Sequence, residues 1–143
     1  MNTPVPPVSA ADLATDEEEF HSSYRIFINA VEMLAASAEE QCALMGNYNV
    51  AWELKEDVAA GRFLVGRGYL SESAEVWIAS LVSALESVNT LVLPAGPGSE
   101  ANLRAMQHVR WEPLRFMAAQ VLQQLSSFTA QNAAYLKLPA HAA

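Results

Sequence analysis

The sequence predicts an all-α fold, an up-and-down four-helix bundle with one short additional helix. Three observations lead to this fold class. Apolar residues recur every three or four positions along four long segments, which is the period of an amphipathic helix. Capping residues and clusters of Pro and Gly separate those segments. No stretch of useful length alternates apolar and polar residues, as a half-buried strand would.

The first predicted helix begins at Thr15 or Asp16, followed by three glutamates that suit the positive end of a helix dipole. It ends near Gly46, a suitable residue just past a last helical turn. Its apolar stripe, which is polar only at the Gln41 step, contains Phe20, Tyr24, Phe27, Val31, Leu34, Ala38 and Met45. At about 30 residues this helix would be about 45 Å long. The excess length must break near Ala35, pack on the short helix, or meet a second copy of the chain.

Two more helices follow from the same signals. An asparagine in the turn after the first helix can cap a second one, on which Val50, Leu54 and Val58 share a face. Ser71 or Ser73 begins a third helix. The broad apolar face of this third helix contains Ala74, Trp77, Ile78, Leu81, Leu85, Val88 and Val92.

The last third of the chain predicts a loop, a short helix and a final long helix. The loop contains Pro94, Gly96, Pro97 and Gly98. Ser99 with Glu100 opens the short helix, and Pro113 suits the first position of the long one, because its missing N–H needs no partner there. The stripe of the long helix contains Leu114, Ala118, Val121, Leu125, Phe128 and Tyr135, and Pro139 stops it.

These boundaries divide the chain into a disordered N-terminal tail (1–15), a single helical-bundle domain (16–138) and a C-terminal tail (139–143). We see no secretory signal and no apolar stretch of the roughly 20 residues that a membrane span needs. The single cysteine, Cys42, fits a reducing interior. We therefore predict a cytoplasmic protein with no membrane partner.

Composition excludes nucleic-acid binding. With 8 basic and 16 acidic residues the formal net charge is −8, whereas contacts to phosphates need a surplus of Lys and Arg. A single cysteine neither forms an internal disulfide nor builds a zinc site by itself. We therefore predict no nucleic-acid partner and no zinc centre.

Two short motifs resemble functional sites but lack required parts. Glu18-x-x-His21 has the spacing of a di-iron carboxylate motif, which those bundles use on two helices, and here it occurs once. The segment 61–68 has the glycine frame of a phosphate-binding loop, but Arg67 replaces the lysine and the segment follows a helix. We predict no metal, no cofactor and no catalytic residue. An enzyme that uses Cys42 or His108 is a minor alternative, and it requires a short contact between the thiol and a histidine.

Charge is distributed unevenly along the chain. Residues 1–60 hold 11 acids and 2 bases, whereas residues 61–143 hold 5 acids and 6 bases. Arginine with tryptophan is the composition enriched at interface hot spots, and the candidate interaction surface is Arg62, Arg67, Arg104, Arg110, Trp111 and Arg115. Either these arginines pair with the acidic first helix of the same molecule, or they meet an acidic protein partner or the acidic half of a second subunit.

These observations favour a non-enzymatic protein–protein interaction module that self-associates, with an adaptor- or immunity-like role. The overlong first helix suggests a homodimer. The alternative is a helical bundle that binds a small apolar ligand in a cavity near Trp52, Trp77 and Trp111. A packed core explains the same tryptophans, so the two alternatives differ in whether such a cavity exists.

Overall fold

The computed structural model describes residues 10–46, 49–90 and 98–139. In these ranges all regular secondary structure is helical, which confirms the all-α class. The α-helices are α1 (Ala10–Ala35), α2 (Ala38–Met45), α3 (Val50–Ala59), α4 (Glu72–Leu85), α5 (Ser99–Met106), α6 (Trp111–Gln124) and α7 (Ser126–Tyr135), and a 3-10 helix (Ala60–Leu64) follows α3. The predicted up-and-down four-helix arrangement is not confirmed, because two of its long helices are each divided into two.

The first predicted helix is broken between Ala35 and Ala38, close to the break that was the first of the three outcomes expected from its length. Ser37 is extended, and its hydroxyl accepts a hydrogen bond from the Glu40 amide at 3.2 Å, so that it caps α2. The side-chain amide of Gln41 donates to the carbonyls of Met33 (2.9 Å) and Leu34 (3.1 Å). These carbonyls lie in the last turn of α1, where helical donors run out, although the Met33 carbonyl also accepts from the Ala36 amide at 3.1 Å. The break therefore accounts for the polar step in the stripe, and α2 packs against α5.

The last predicted helix is also divided, at Leu125 between α6 and α7. Helix α6 begins at Trp111, two residues before the predicted start, so Pro113 lies in its first turn, where proline is tolerated. Leu125 is buried, and no side chain caps α7. Asn132, a polar residue of α7, is buried in the interior.

Several cap predictions are confirmed. Gly46 ends α2 with a φ of 91°, a conformation that side chains with a Cβ rarely adopt. The Asn49 side chain accepts from the Trp52 amide at the start of α3, and Ser71 caps α4. Gly98 precedes α5, so Ser99 is its first helical residue and not its cap.

The N-terminal boundary differs from the prediction. Helix α1 begins at Ala10, so residues 10–15 of the predicted tail are helical. The predictions for residues 1–9, for the turn at 47–48, for Val92, Pro94, Gly96 and Pro97, and for 140–143 lie outside the described residues.

Helix α1 is at the centre of the fold and packs against α6, α3, α7 and the 3-10 helix, while α4 packs against α6. The predicted stripes supply most of the core. Its largest fully buried side chains are Trp111, Tyr24, Phe20, Phe27, Ile28, Leu34, Leu54, Ile78, Leu81, Leu85, Met106 and Leu125. Within the described ranges, no helix is long and apolar enough to cross a membrane.

Candidate functional site

The six residues of the predicted interaction surface do not form one surface. Trp111 is fully buried, with 0% of its surface exposed, and packs in the core at the start of α6. The guanidinium of Arg115 is mostly buried and bonds to Glu112 (2.9 Å), to the Gln41 side-chain oxygen (2.8 Å) and to a backbone carbonyl. Both residues therefore belong to the interior, which corrects the prediction for them.

The other four arginines differ in exposure and in ion pairing. Arg67 pairs with Asp16 of α1 at 2.8 Å, as the intramolecular alternative predicts. A second bond to Asp16, from the Tyr69 hydroxyl at 2.6 Å, is the main reason that the pKa of this carboxyl is lowered. Arg62, Arg104 and Arg110 are exposed.

Two large apolar side chains remain exposed beside Arg62 and Arg67. Ile26 on α1 is 66% exposed and Phe63 on the 3-10 helix is 64% exposed. Both line one groove of about 530 Å³. The other lining residues are Glu19, Ser23, Phe27, Ala60, Leu64 and Arg67. We call this surface the Ile26–Phe63 patch.

A glycine allows α1 and the 3-10 helix to approach closely beneath this patch. A Cβ placed on Gly61 would lie 2.4 Å from a ring carbon of Phe27. That separation is far below van der Waals contact, so only glycine lets the Phe27 ring pack here. Gly61 lies inside the 3-10 helix, where the absence of a side chain makes room for this contact.

Charges of both signs flank the patch. Glu19 lines the groove on α1, and the Arg62 guanidinium lies 4.5 Å from the centre of the Phe63 ring. Arg62 also donates to the Ala59 carbonyl of its own turn at 3.1 Å. In the described part of the chain, neither Glu19 nor Arg62 forms an ion pair. The patch therefore offers apolar area, an acid and a base together.

Ile26 and Phe63 were not among the predicted site residues. Ile26 lies outside the apolar stripe of α1, on a side of the helix where the neighbouring residues are polar or charged. A large apolar residue on a polar face was the available signal. Phe63 follows Arg62 in the glycine-punctuated segment, and its exposure depends on how the 3-10 helix turns.

The three tryptophans of the predicted ligand cavity differ widely in exposure. Trp52 is 50% exposed, whereas Trp111 is fully buried and Trp77 packs at the edge of the core. An apolar groove exists elsewhere, between α7 and α1, with a volume of about 480 Å³. Its lining residues are Arg25, Glu32, Leu122, Ser126, Thr129, Ala130, Ala133, Ala134 and Leu138. We call it the α7 groove.

The candidate nucleophile lies in an environment that disfavours its reactive form. Cys42 is buried on α2, and burial raises the pKa of its thiol. The nearby Glu39 carboxylate raises this pKa further, and Arg115 only partly opposes the shift. A thiol activated for nucleophilic attack needs the opposite shift.

His21, part of the glutamate–histidine motif, is buried between α1 and α7. Its ring stacks on Tyr135 with centroids 3.9 Å apart, and its Nδ1 lies 2.9 Å from the Asn132 amide nitrogen. Burial lowers the pKa of this imidazole, against the attraction of the Glu17 carboxylate. In the described ranges, no group of three His, Cys, Asp or Glu side chains is arranged to hold a metal ion.

No protein-family model matches the chain, and comparison with curated proteins and with solved structures gives no match either.

Proposed function

We propose that this chain is a non-enzymatic protein–protein interaction module that forms a homodimer through the Ile26–Phe63 patch. The observation that carries the proposal is the presence of two large apolar side chains, each about two-thirds exposed, in one groove. Exposed large apolar groups that share a surface and are flanked by polar residues are typical of interaction sites. An adaptor- or immunity-like role in the cytoplasm is part of this proposal, and the lone buried thiol fits a reducing compartment.

The occupant we propose is a second copy of the chain. A two-fold dimer buries the same surface on both copies, so that surface must be complementary to itself. The patch meets this requirement because its groove is lined by apolar groups and an acid, Glu19, and a base, Arg62, lies beside it against the Phe63 ring. Around a two-fold axis, Ile26 of one copy packs on Phe63 of the other, and Glu19 faces Arg62.

Of the acidic partners that the uneven charge along the chain suggests, we propose the acidic N-terminal half of a second copy. Pairing across the axis would neutralise charges that have no ion-pair partner in the described part of one chain. Only two large apolar side chains, Ile26 and Phe63, are exposed among the residues that line the groove. A standard stable interface buries about 1,200–2,000 Å² in total, which is about 20–30 residues a side, so we expect a reversible dimer of modest affinity.

Sedimentation equilibrium over a wide concentration range tests the proposal. We expect the mass of the wild-type chain to rise from 15.5 kDa toward twice that value. Phe63→Ser should remain monomeric, since it removes the aromatic half of the patch. Phe116→Ser is the matched control, because Phe116 is 68% exposed on α6, outside the groove. A wild-type chain that stays monomeric, or equal effects of the two variants, would contradict the proposal.

A charge exchange tests the two-fold arrangement itself. Arg62→Glu should weaken the dimer, because it places two carboxylates opposite each other. Adding Glu19→Arg to the same chain should restore dimerisation. Arg110→Glu is the matched control for the charge change, since Arg110 is exposed at the start of α6, whereas the Arg62 guanidinium lies against the Phe63 ring of the patch. Failure of the double variant to recover would exclude the pairing of Glu19 with Arg62.

The α7 groove favours a second candidate function, the binding of a small apolar ligand. Its volume of about 480 Å³ falls in the range of about 300–1,000 Å³ that is typical of ligand sites. Ala133→Phe would fill the groove and should abolish binding of a fluorescent fatty-acid probe. Ala119→Phe, on an exposed position of α6, should leave probe binding unchanged. Equal binding by both variants would remove this candidate.

A further inference from the structure

Helix α7 is attached to α1 by a buried polar contact with aromatic rings on either side of it. Of its ten residues, Asn132 is the one that is buried, with 0% exposure. Phe128, Asn132 and Tyr135 follow each other at helical spacing, so they share the face that meets α1. Phe128 and Tyr135 are parallel to the His21 ring, and the Tyr24 hydroxyl lies 2.8 Å from the Thr129 hydroxyl.

Two partners fix the orientation of the Asn132 amide. The Arg25 Nε donates to the Asn132 oxygen at 3.0 Å, and the Asn132 nitrogen donates to the His21 backbone carbonyl at 2.9 Å. Arg25 Nε can only donate and a carbonyl can only accept. Rotating the amide by 180° would therefore break both bonds and oppose like groups.

This orientation determines which imidazole nitrogen carries the proton. The same Asn132 nitrogen lies 2.9 Å from His21 Nδ1. Because an amide nitrogen only donates, Nδ1 must be the unprotonated acceptor and the proton of the neutral ring resides on Nε2. A second proton on Nδ1 would place two N–H groups opposite each other in a buried site, and the amide has no alternative orientation.

We propose that the His21–Asn132 contact is a proton-sensitive attachment, and that protonation of His21 at Nδ1 releases α7 from α1. The proposal is independent of dimerisation through the Ile26–Phe63 patch, since no residue of α7 lines that patch. Release would expose the aromatic rings of Phe20 and Tyr24, which Phe128 covers in the closed form.

The charged and titratable groups around His21 act in opposite directions. On α1, the Glu17 carboxylate lies 4.0 Å from Nε2 and favours the imidazolium, whereas the Arg25 guanidinium lies across Asn132 and disfavours it. Tyr24 of α1 and Tyr135 of α7 stay neutral at the pH values at which a histidine titrates, because burial raises the pKa of each hydroxyl. The pKa of Tyr24 is raised to about 12. Burial outweighs Glu17, so the pKa of His21 is lowered in the closed form.

Acidification should favour the released form of α7. In the released form His21 has the higher pKa, so acidification protonates that form first and shifts the equilibrium toward it. The attachment is fully present above the ordinary histidine pKa of about 6.5 and is lost as the pH falls toward the lowered value.

Amide hydrogen exchange of the full chain between about pH 7.5 and about pH 5 tests this, across the range in which an ordinary histidine titrates. Protection factors already correct for the intrinsic pH dependence of exchange. We expect protection in α7 to fall by about 5- to 150-fold, the range for one buried donor left without an acceptor. Protection in α4 should change much less. A uniform change in both helices, or none in α7, would overturn the proposal.

Two variants separate the titration from general destabilisation. His21→Asn keeps an acceptor near the Nδ1 position but does not titrate, so the pH dependence in α7 should disappear. His108→Asn is the matched control and should retain the wild-type pH dependence. Should His21→Asn fail to fold, imidazole ¹⁵N shifts of the wild-type chain decide the matter. A His21 ring with its neutral-state proton on Nδ1 would contradict the assigned hydrogen bond and the proposal with it.

Discussion

Two sides of α1 are completed in opposite ways. Toward α7, the helix presents His21, Tyr24 and Arg25, and each polar group finds a partner within the chain. Toward the 3-10 helix, it presents Ile26 above the buried Phe27 ring, and the groove there stays open. We call the His21–Asn132 contact the closed side, because its polar groups are paired within the chain, and the Ile26–Phe63 patch the open side. The α7 groove lies beside the closed side.

The difference indicates which side the fold itself needs. Buried polar groups are costly unless they are all satisfied, so they specify one arrangement of α7 on α1. Exposed apolar groups on the other side add nothing to the stability of one chain, and their area becomes useful only when a partner covers it. We therefore expect substitutions on the α7 side to change folding and those on the patch side to change association.

The largest loss of unfolding free energy is expected in the hydrophobic core, and it is the reference for the effects on the two sides of α1. Leu81 is fully buried on α4. Leu81→Ala should lower the free energy of unfolding by about 2–5 kcal/mol, because it leaves a cavity among packed side chains. Chemical denaturation measures this, with the exposed Ser80→Ala of the same helix as control. A neutral Leu81→Ala would mean that the face of α4 is assigned wrongly.

The next largest loss of unfolding free energy is expected at the His21–Asn132 contact on the closed side. Asn132→Ala removes the groups that pair with Arg25 and His21, and it should cost about 1–3 kcal/mol of unfolding free energy. Gln131→Ala is the matched control, since it changes an exposed amide in the same turn. Similar midpoints for the two variants in urea would show that the polar contact does not stabilise α7.

Gly61, which contacts the Phe27 ring beneath the Ile26–Phe63 patch, is expected to tolerate no larger side chain without a loss of stability. Gly61→Ala places a methyl group 2.4 Å from a Phe27 ring carbon, and overpacking of this kind costs about 1–3 kcal/mol. Ala60→Ser, at an exposed neighbouring position, should change the unfolding free energy by less than about 0.5 kcal/mol. A stable Gly61→Ala would mean that the Phe27 ring moves aside without cost.

The smallest effect on folding is expected at the open groove. Ile26→Ser exchanges residues of similar helix propensity at an exposed position, so unfolding free energy should change by less than about 0.5 kcal/mol. The same variant should weaken dimerisation in sedimentation experiments. A large loss of stability would place Ile26 in the fold and contradict the distinction between the two sides.

Periodicity predicted the helical class and most of the core, because burial on a helix follows the spacing of apolar residues. The stripes of α1, α3 and α6 are buried where they were expected. The α4 stripe is buried too, except that Trp77 is half-buried, and α4 ends at Leu85, so the buried Val88 lies beyond the helix that was predicted to contain it. The break at Ser37 was also encoded, since Ser37-Ala38-Glu39-Glu40 has the spacing of a capping box. The division at Leu125 has no comparable signal, because no side chain caps α7 and the flanking stripe continues across it.

The candidate site was harder to predict for a physical reason. Trp111 and Arg115 are close to exposed arginines along the chain and were predicted to share a surface with them, but a helix directs neighbouring residues to different faces. Trp111 and Arg115 therefore face the interior while Arg110 is exposed. The role of Asn132 depends on His21, 111 positions away in the sequence, and such a pairing is visible only once the helices are packed.

The most direct test of the central claim is isotope-filtered NMR on an equal mixture of labelled and unlabelled chains. The two-fold arrangement predicts intermolecular contacts between the Ile26 methyl groups of one copy and the Phe63 ring of the other. Intermolecular contacts that involve Phe116 or Trp52 instead, or none at concentrations where the mass has doubled, would contradict it.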